Sequence, residues 1–317
     1  MKDNLHCCII NNGRKVINKI DSKIPCQRKY DLFYRYINHS LKTDFKKTDK
    51  EYYKKSSAKN IVNIKIPNKY WVMWWQGEQD ENIPQLVKNN IKNIKDIFGE
   101  KNVIVITKYN YNKYVNIPEE IKNKLKYGKI SFTHWSDVIR FNLLNSKGGI
   151  WIDSTVMISP KFKEFIVRNK SNKFITICEN SMDYHNISFS QWTTWFIGGV
   201  PHYDLFEYVC IFYDNYFKNH EKIIDYFLLD DVIAHYYQIN SKFKNECKKN
   251  SKNWHPYYWI QNFTNKYNVD MKNKFNLNIN YSIQKLTYKF DSKILEDHTC
   301  LAFHILNQTD YYERNSK

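Results

Sequence analysis

The sequence predicts an α/β protein with a GT-A-like, Rossmann-type layout: a mixed, mainly parallel sheet flanked by helices. From residue 66 to 155, short apolar runs rich in β-formers alternate with segments of helical period, and glycine or proline marks the joints. The chain can also support a substantial core, because 42% of its 317 residues are apolar and 17% aromatic.

Residues 1–60 read as a helical, basic N-terminal appendage. "DLFYRYINHSLK" has helical spacing, and "KTDFKKTDKEYYKKSSAKN" is charged enough to be either a linker or a basic helix. From Ile66 the texture changes. "KYWVMWW" reads as a buried strand, followed by a helix over "IPQLVKNNIKNIKDIFG" with Val87, Ile91, Ile94 and Phe98 on one face and Gly99 as its stop. "NVIVIT" is a second strand, "IPEEIKNKLKYG" a short helix with Pro118 near its start, and "KIS" a short strand. In "THWSDVIRFNLLNSKGG" a helix turns Trp135, Val138, Ile139 and Leu143 to the core and ends at Gly148 and Gly149, before the strand "IWID". Beyond it, "KFITICE" and "TTWFIGGV" read as strands, and "YDLFEYVCIFYDNYF" and "EKIIDYFLLDDVIAHYYQI" as helices. From Trp254 onward the chain is aromatic and irregular, with a strand-like "LAFHILN".

Composition narrows the function classes. No run reaches the roughly 18 apolar residues of a membrane span, and the N-terminal stretch has too short an apolar core for a secretory signal, so the expected location is the cytoplasm. Seven cysteines without metal-ligand spacing read as reduced thiols. A formal charge of +17 suits an anionic partner such as nucleic acid, anionic lipid or a phosphorylated small molecule, and equally a solvated lysine-rich surface.

The candidate chemistry gathers at strand ends. In an open α/β sheet, ligands bind beyond the carboxyl ends of the strands. Asp153 stands at the end of "IWID", and Gln76 and Gly77 follow the first strand, so these ends are expected to share a crevice. Asp137 and Arg140, at i and i+3, occupy one helix face. They could hold sugar hydroxyls and a phosphate, or form an ordinary surface ion pair. The aromatics of "HWS", "QWTTW" and "WHPYYW" could stack on sugar rings or simply fill the core.

"WWQG", "IPQLV", "ISFTHWSDVIRFNLLNSKGGIWIDSTV" and "YFLLDDVI" together resemble the capsular polysaccharide synthesis protein family of bacterial glycosyltransferases, related to the family 32 sugar transferases with a GT-A fold. The resemblance spans roughly residues 66–240 and is strongest from Ser131 to Val156, where S-D-x-x-R precedes W-I-D. It implies a GT-A-like domain over 61–317, with a nucleotide-sugar half near 66–160 and an acceptor half near 161–317.

The implied activity moves a hexose from a nucleotide sugar, a UDP-hexose by expectation, to a lipid-linked surface polysaccharide with retention of configuration. The implied partners are that donor, the glycan acceptor and an anionic membrane surface at the inner face of the cell membrane, with no nucleic acid. Trp75 and Gln76 fall near the base and ribose, Asp137 and Arg140 at the donor sugar and diphosphate, and Asp153 at the junction with a divalent cation, Mn2+ or Mg2+. Asp230 matches a late acidic position that could touch donor or acceptor hydroxyls, against the ordinary reading of a solvated or capping Asp. His304 could supply a last metal ligand, or be a satisfied core histidine.

The family pattern of two carboxylates, D-x-D, is here Asp153-Ser154-Thr155. Thr155 could orient a metal-bound water, and Ser154 lies within reach of the donor sugar. Two other classes remain open. A basic nucleic-acid-binding protein explains the charge and aromatics but shows no recognition motif. A noncatalytic carbohydrate-binding protein explains the aromatics alone.

Overall fold

In a computed structural model, residues 2–56, 65–179, 183–249 and 253–307 are described. The expected boundary near residue 60 and the end of the lysine-rich segment, residues 57–59, lie outside them. Three helices open the chain: α1 (Lys2–Asp21), α2 (Gln27–Ser40) and α3 (Lys42–Ser56). Their apolar faces enter the main core. Tyr30, Phe33, Ile37, Phe45 and Tyr52 are buried in the same cluster as the strand residues Trp71, Ile150 and Phe196. The N-terminal segment is therefore packed into the body of the molecule.

The alternating segment forms as its periodicity suggests. It runs β1 (Tyr70–Met73), α4 (Gln85–Phe98), β2 (Val103–Ile106), α5 (Glu119–Lys126), α6 (Phe132–Lys147) and β3 (Gly149–Ile152). Val87, Ile91, Ile94 and Phe98 all face inward, and Gly99 ends α4 at φ +87°. Ser131 caps α6 by accepting from the His134 backbone amide. "KIS" is not a strand. Its three residues form the bend that leads into this cap, with Ser131 itself as the capping residue.

Next come β4 (Val156–Ile158), α7 (Phe162–Asn169), β5 (Phe174–Thr176), β6 (Phe196–Gly199), α8 (Asp204–Asn219), α9 (Leu228–Ile239) and α10 (Ser241–Lys249). The region beyond Trp254 is more regular than its composition suggests, with α11 (Tyr258–Gln261), α12 (Val269–Leu277), β7 (Ile283–Lys285) and α13 (Leu301–Asn307). "LAFHILN" is thus a helix, because Leu301, Ala302 and Ile305 bury one helical face in a second, smaller core with Trp259 and Phe275.

The main sheet has the order β2-β1-β3-β6-β5. β1 pairs parallel with β2 and with β3, whereas β6 runs antiparallel to both β3 and β5. Four strands therefore point one way and only β6 opposes them. β3 is the central strand, and the chain moves from β2 on one side of β1 to β3 on the other, which opens a crevice at their carboxyl ends. A separate antiparallel pair, β4 with β7, continues directly from β3.

Two glycines allow β3 to enter the sheet where it does. Gly149 has φ +97°, and a β-carbon there would lie 2.6 Å from the Lys69 carbonyl oxygen, the same oxygen that accepts from the Ile150 amide. Gly149→Ala should therefore cost at least about 1–3 kcal/mol through strain alone. A lowered denaturation midpoint would register it, and an unchanged midpoint would show that this strand edge gives way freely.

Candidate active site

Beyond the carboxyl end of β3, a cavity of about 370 Å³ is lined by Asp137, Arg140, Asp153, Glu179, Asp230 and Lys285, among others. The fold delivers each group from a different element. Asp153 follows β3 directly, its backbone amide donating to the Trp195 carbonyl at 2.9 Å. Asp137 and Arg140 come from the inner face of α6. Glu179 follows β5, which runs parallel to β3, so both strands present a carboxylate at the same edge. Asp230 sits in the first turn of α9, and Lys285 is the last residue of β7.

Asp137 and Arg140 form a buried ion pair, not a surface one, with Arg140 Nη1 donating to Asp137 Oδ1 at 3.0 Å. The other fork of the guanidinium, Nη2, donates to Asp153 Oδ1 at 3.2 Å, and its plane lies over the Trp151 ring at 4.8 Å. Trp151 Nε1 donates to the same Asp153 oxygen at 2.8 Å. The second oxygen of Asp153 accepts from Lys285 Nζ at 2.7 Å, and that ammonium also donates to Thr155 Oγ1 at 2.7 Å. Asp153 is therefore gripped on both oxygens.

These environments separate the carboxylates. Burial pushes Asp153 up, but the neighbouring Lys285 and Arg140 charges and the hydrogen bonds from Lys285 and Trp151 outweigh it and hold the group below the usual carboxylate range. Burial pushes Asp137 up to about 7 despite Arg140. Burial, with Asp183 nearby, takes Glu179 to about 7. Asp230, half-buried and accepting from Trp192 Nε1 at 3.0 Å, is raised by desolvation to about 6. Besides Asp183, the cavity thus holds one carboxylate kept low beside two cations, and three carboxyl groups raised toward neutral pH. The first set suits an anionic leaving group, and the second suits hydroxyl recognition and proton transfer.

The family model described as capsular polysaccharide synthesis protein matches residues 14–303. The chain belongs to that family. No curated protein and no solved structure gives a match. Most of the N-terminal helical segment and of the C-terminal region lies within the family match, which extends well past residues 66–240 on both sides. A role in capsular polysaccharide synthesis follows for this family member as a biosynthetic protein.

Of the residues that the sequence singles out, Asp137, Arg140, Asp153 and Asp230 meet in the one cavity. Asp230 is half-buried in the cavity wall and held by Trp192, and Phe227 takes the N-cap position of α9. Thr155 reaches the site through Lys285. Ser154 is buried, and its carbonyl accepts from Asn90 Nδ2 at 3.1 Å. Trp75 packs among Tyr111, Phe132 and Trp135, beside the start of α6, and Gln76 is exposed next to it; neither lines the cavity. His304 lies on α13 with its ring stacked on Tyr267 and is not among the cavity residues. Of the aromatics, Trp192, Trp195 and Tyr257 do line the cavity, while Trp135, Trp254 and Trp259 serve the core.

Two residues escape the sequence reading. Glu179 had a signal, a carboxylate directly after an apolar strand, of the same form as Asp153. Lys285 had none, because its position depends on pairing with Val156, more than a hundred residues earlier.

The donor set does not suit the Mn2+ or Mg2+ ion that the resemblance implies. Such ions take about six hard oxygens, commonly one or two carboxylates with substrate phosphates and waters making up the rest, so the acidic and hydroxyl groups at the strand end would have to be free. Here both oxygens of Asp153 already accept from cations or an indole, the hydroxyl at position 155 accepts from the same ammonium, and no group of three or more His, Cys, Asp or Glu side chains is placed to hold a metal among the described residues.

Proposed function

We propose that this protein is a glycosyltransferase that moves a hexose from a nucleotide-sugar donor, a UDP-hexose by preference, to a surface polysaccharide under construction. The observation that carries the reading is the grip of Arg140 and Lys285 on Asp153 at the carboxyl end of the central strand, inside a cavity otherwise rich in hydroxyl-binding carboxylates. The mostly parallel sheet, with its crevice beyond the carboxyl ends of β1 and β3, supports the reading as a place where a nucleotide sugar can bind. In the reaction the bond from the anomeric carbon to the diphosphate oxygen breaks, and its electron pair leaves with the diphosphate. A bond forms to the acceptor hydroxyl oxygen, which gives up its proton. The purified protein incubated with a panel of nucleotide sugars should release one nucleoside diphosphate above the buffer rate. Release from none of them would sink the proposal.

In the retaining reaction that the resemblance implies, the departing diphosphate takes the acceptor proton. Glu179 favours a second reading, inversion, because it supplies a carboxylate that ionises near neutral pH in the same cavity. If Glu179 is the base, activity should rise with pH through about 7 as the carboxylate loses its proton. Glu179→Gln should then remove that rise and lower turnover by about 10²–10⁴-fold. A variant with unchanged turnover and pH profile returns the proton to the leaving phosphate.

The acceptor has room to approach from the N-terminal side. A second cavity of about 460 Å³, walled by α2, α3, α9 and residues 187–192, shares Ser188 and Trp192 with the first. We take the acceptor to be lipid-linked, which brings the protein to an anionic membrane surface. No helix among the described residues is long and apolar enough to cross a membrane. On α3, however, Lys42, Lys46, Lys47, Lys50, Lys54 and Lys55 are exposed while Phe45, Thr48 and Tyr52 face inward. Each lysine close to such a surface adds roughly 1 kcal/mol. Binding to phosphatidylserine-containing vesicles should fall with salt and with Lys46, Lys47, Lys50 and Lys54 changed to Glu. Equal binding by that variant moves the contact elsewhere.

A further inference from the structure

We propose that Lys285 is the resident cation of this active site, in place of the divalent ion, so that the donor diphosphate binds and departs without metal. The inference rests on the nucleotide-sugar reading above. Its basis is the position of one ammonium, whose Nζ stands 2.7 Å from Asp153 Oδ2 and 2.7 Å from Thr155 Oγ1. Those are the side chains at the first and third positions of the triplet that carries two carboxylates in the D-x-D pattern. One of the two carboxylates is absent, and a fixed positive charge lies between the side chains that remain.

The placement is built into the backbone. Lys285 pairs with Val156 in the β4–β7 ladder, its own amide donates to the Pro256 carbonyl at 2.7 Å, and the next amide, of Leu286, donates to the Thr155 carbonyl at 2.9 Å. The stem cannot drift from Thr155 without breaking the ladder. An ammonium has three protons. Two are engaged by Asp153 and Thr155, and the third has no acceptor among the described residues, on a side chain that lines the cavity. A phosphate oxygen is the natural acceptor for it, in a charge-assisted bond.

Arg140 is less suited to that task. Its forks are taken by Asp137 and Asp153, and its side chain is only 7% exposed against 22% for Lys285. It fixes Asp153, and Asp153 in turn fixes Lys285. As the bond to the anomeric carbon breaks, the electron pair moves onto the diphosphate, and the ammonium stabilises the growing negative charge without giving up its proton. The substitution at position 155 fits the same scheme, because a second aspartate there would bind the ammonium more tightly and leave less of its charge for the donor.

The test is calorimetric binding of UDP, GDP, ADP, CDP and dTDP to the full chain, in EDTA and again with Mn2+. The expected result is that one nucleotide binds equally well in both. Lys285→Met should weaken it by about 10–100-fold, the worth of one hydrogen bond to a charged group, while Lys285→Arg recovers part of the loss. The double variant Thr155→Asp/Lys285→Met, which pairs two carboxylates and removes the ammonium, should acquire binding that depends on Mn2+. Thermal denaturation of each variant shows whether it is folded. A nucleotide that binds wild-type protein only with Mn2+ overturns the inference and leaves the glycosyltransferase reading standing, as does undiminished binding by folded Lys285→Met. Binding of none of the five under either condition removes both.

Discussion

Asp153→Asn should abolish sugar transfer, with a loss of at least about 10²–10³-fold, the usual consequence of dismantling a preorganised charged site. Asparagine keeps the shape of the strand end but lacks the charge that holds Arg140 on one oxygen and Lys285 on the other, and its amide points two protons toward groups that themselves donate. The sequence alone suggests a strand-end residue of little weight in stability. The structure gives it more, because the side chain accepts three hydrogen bonds, from Arg140, Trp151 and Lys285. A loss of about 1–3 kcal/mol should accompany the loss of activity.

The pH dependence checks the origin of that loss. A carboxylate whose folded pKa is lowered stabilises the fold fully above its unfolded pKa, and the contribution fades as the pH falls through the folded value. The wild-type advantage over Asp153→Asn should thus be present at pH 7 and shrink on acidification. Wild-type turnover in the variant would make Asp153 a structural strand end, and the site assignment would go with it.

Arg140→Leu is expected to be the most destabilising single change in the site. It removes the partner of a buried carboxylate, which costs about 3–5 kcal/mol, or roughly 5–8 °C in Tm for a chain of this size. The loss should be larger at pH 8 than at pH 5. Asp137 is already raised to about 7 with Arg140 beside it, and without the guanidinium it rises further, so stability is withdrawn as the pH climbs from the unfolded value toward the folded one. At pH 5 Asp137 is protonated in both proteins, so the loss that remains is chiefly that of the Arg140 contact with Asp153. Adding Asp137→Asn to Arg140→Leu should recover much of the stability at pH 8, because the orphaned charge is then gone. If the single variant melts with wild type at both pH values, Arg140 does not hold this corner together. Arg140→Lys is a separate case: the charge survives, but one ammonium cannot reproduce the fork that spans Asp137 and Asp153, and activity should fall further than stability.

What could be read from the sequence follows the distance over which each feature is determined. The segment from β1 to β3 was legible because its periods are local: Val87, Ile91, Ile94 and Phe98 announce a helix face, and the two glycines after α6 announce its end. Asp137, Arg140 and Asp153 were legible because one helix and one strand carry them within a short stretch. The short apolar run around His304 and the three residues of "KIS" were not, since so few residues fit a strand or a helix equally well until packing decides. Glu179 could have been found by the rule that found Asp153. Lys285 could not, because "SIQKLTYK" looks like any alternating segment and only the register with β4 reveals what its lysine faces.

That same register has a consequence for how the protein is made. Domains acquire structure from the N-terminus as synthesis proceeds, at about 5–20 residues per second. The carboxylates on α6, β3, β5 and α9 are all synthesised before β7, and the ammonium that completes the site is the last of its charged groups to arrive. Until then β4 has no partner strand, and Asp153 has only Arg140 and Trp151 to answer it. A nascent chain can therefore bury most of the core around β1, β3 and β6 while the charged cluster at the end of β3 still lacks its ammonium, and that cluster is complete only once β7 has paired with β4.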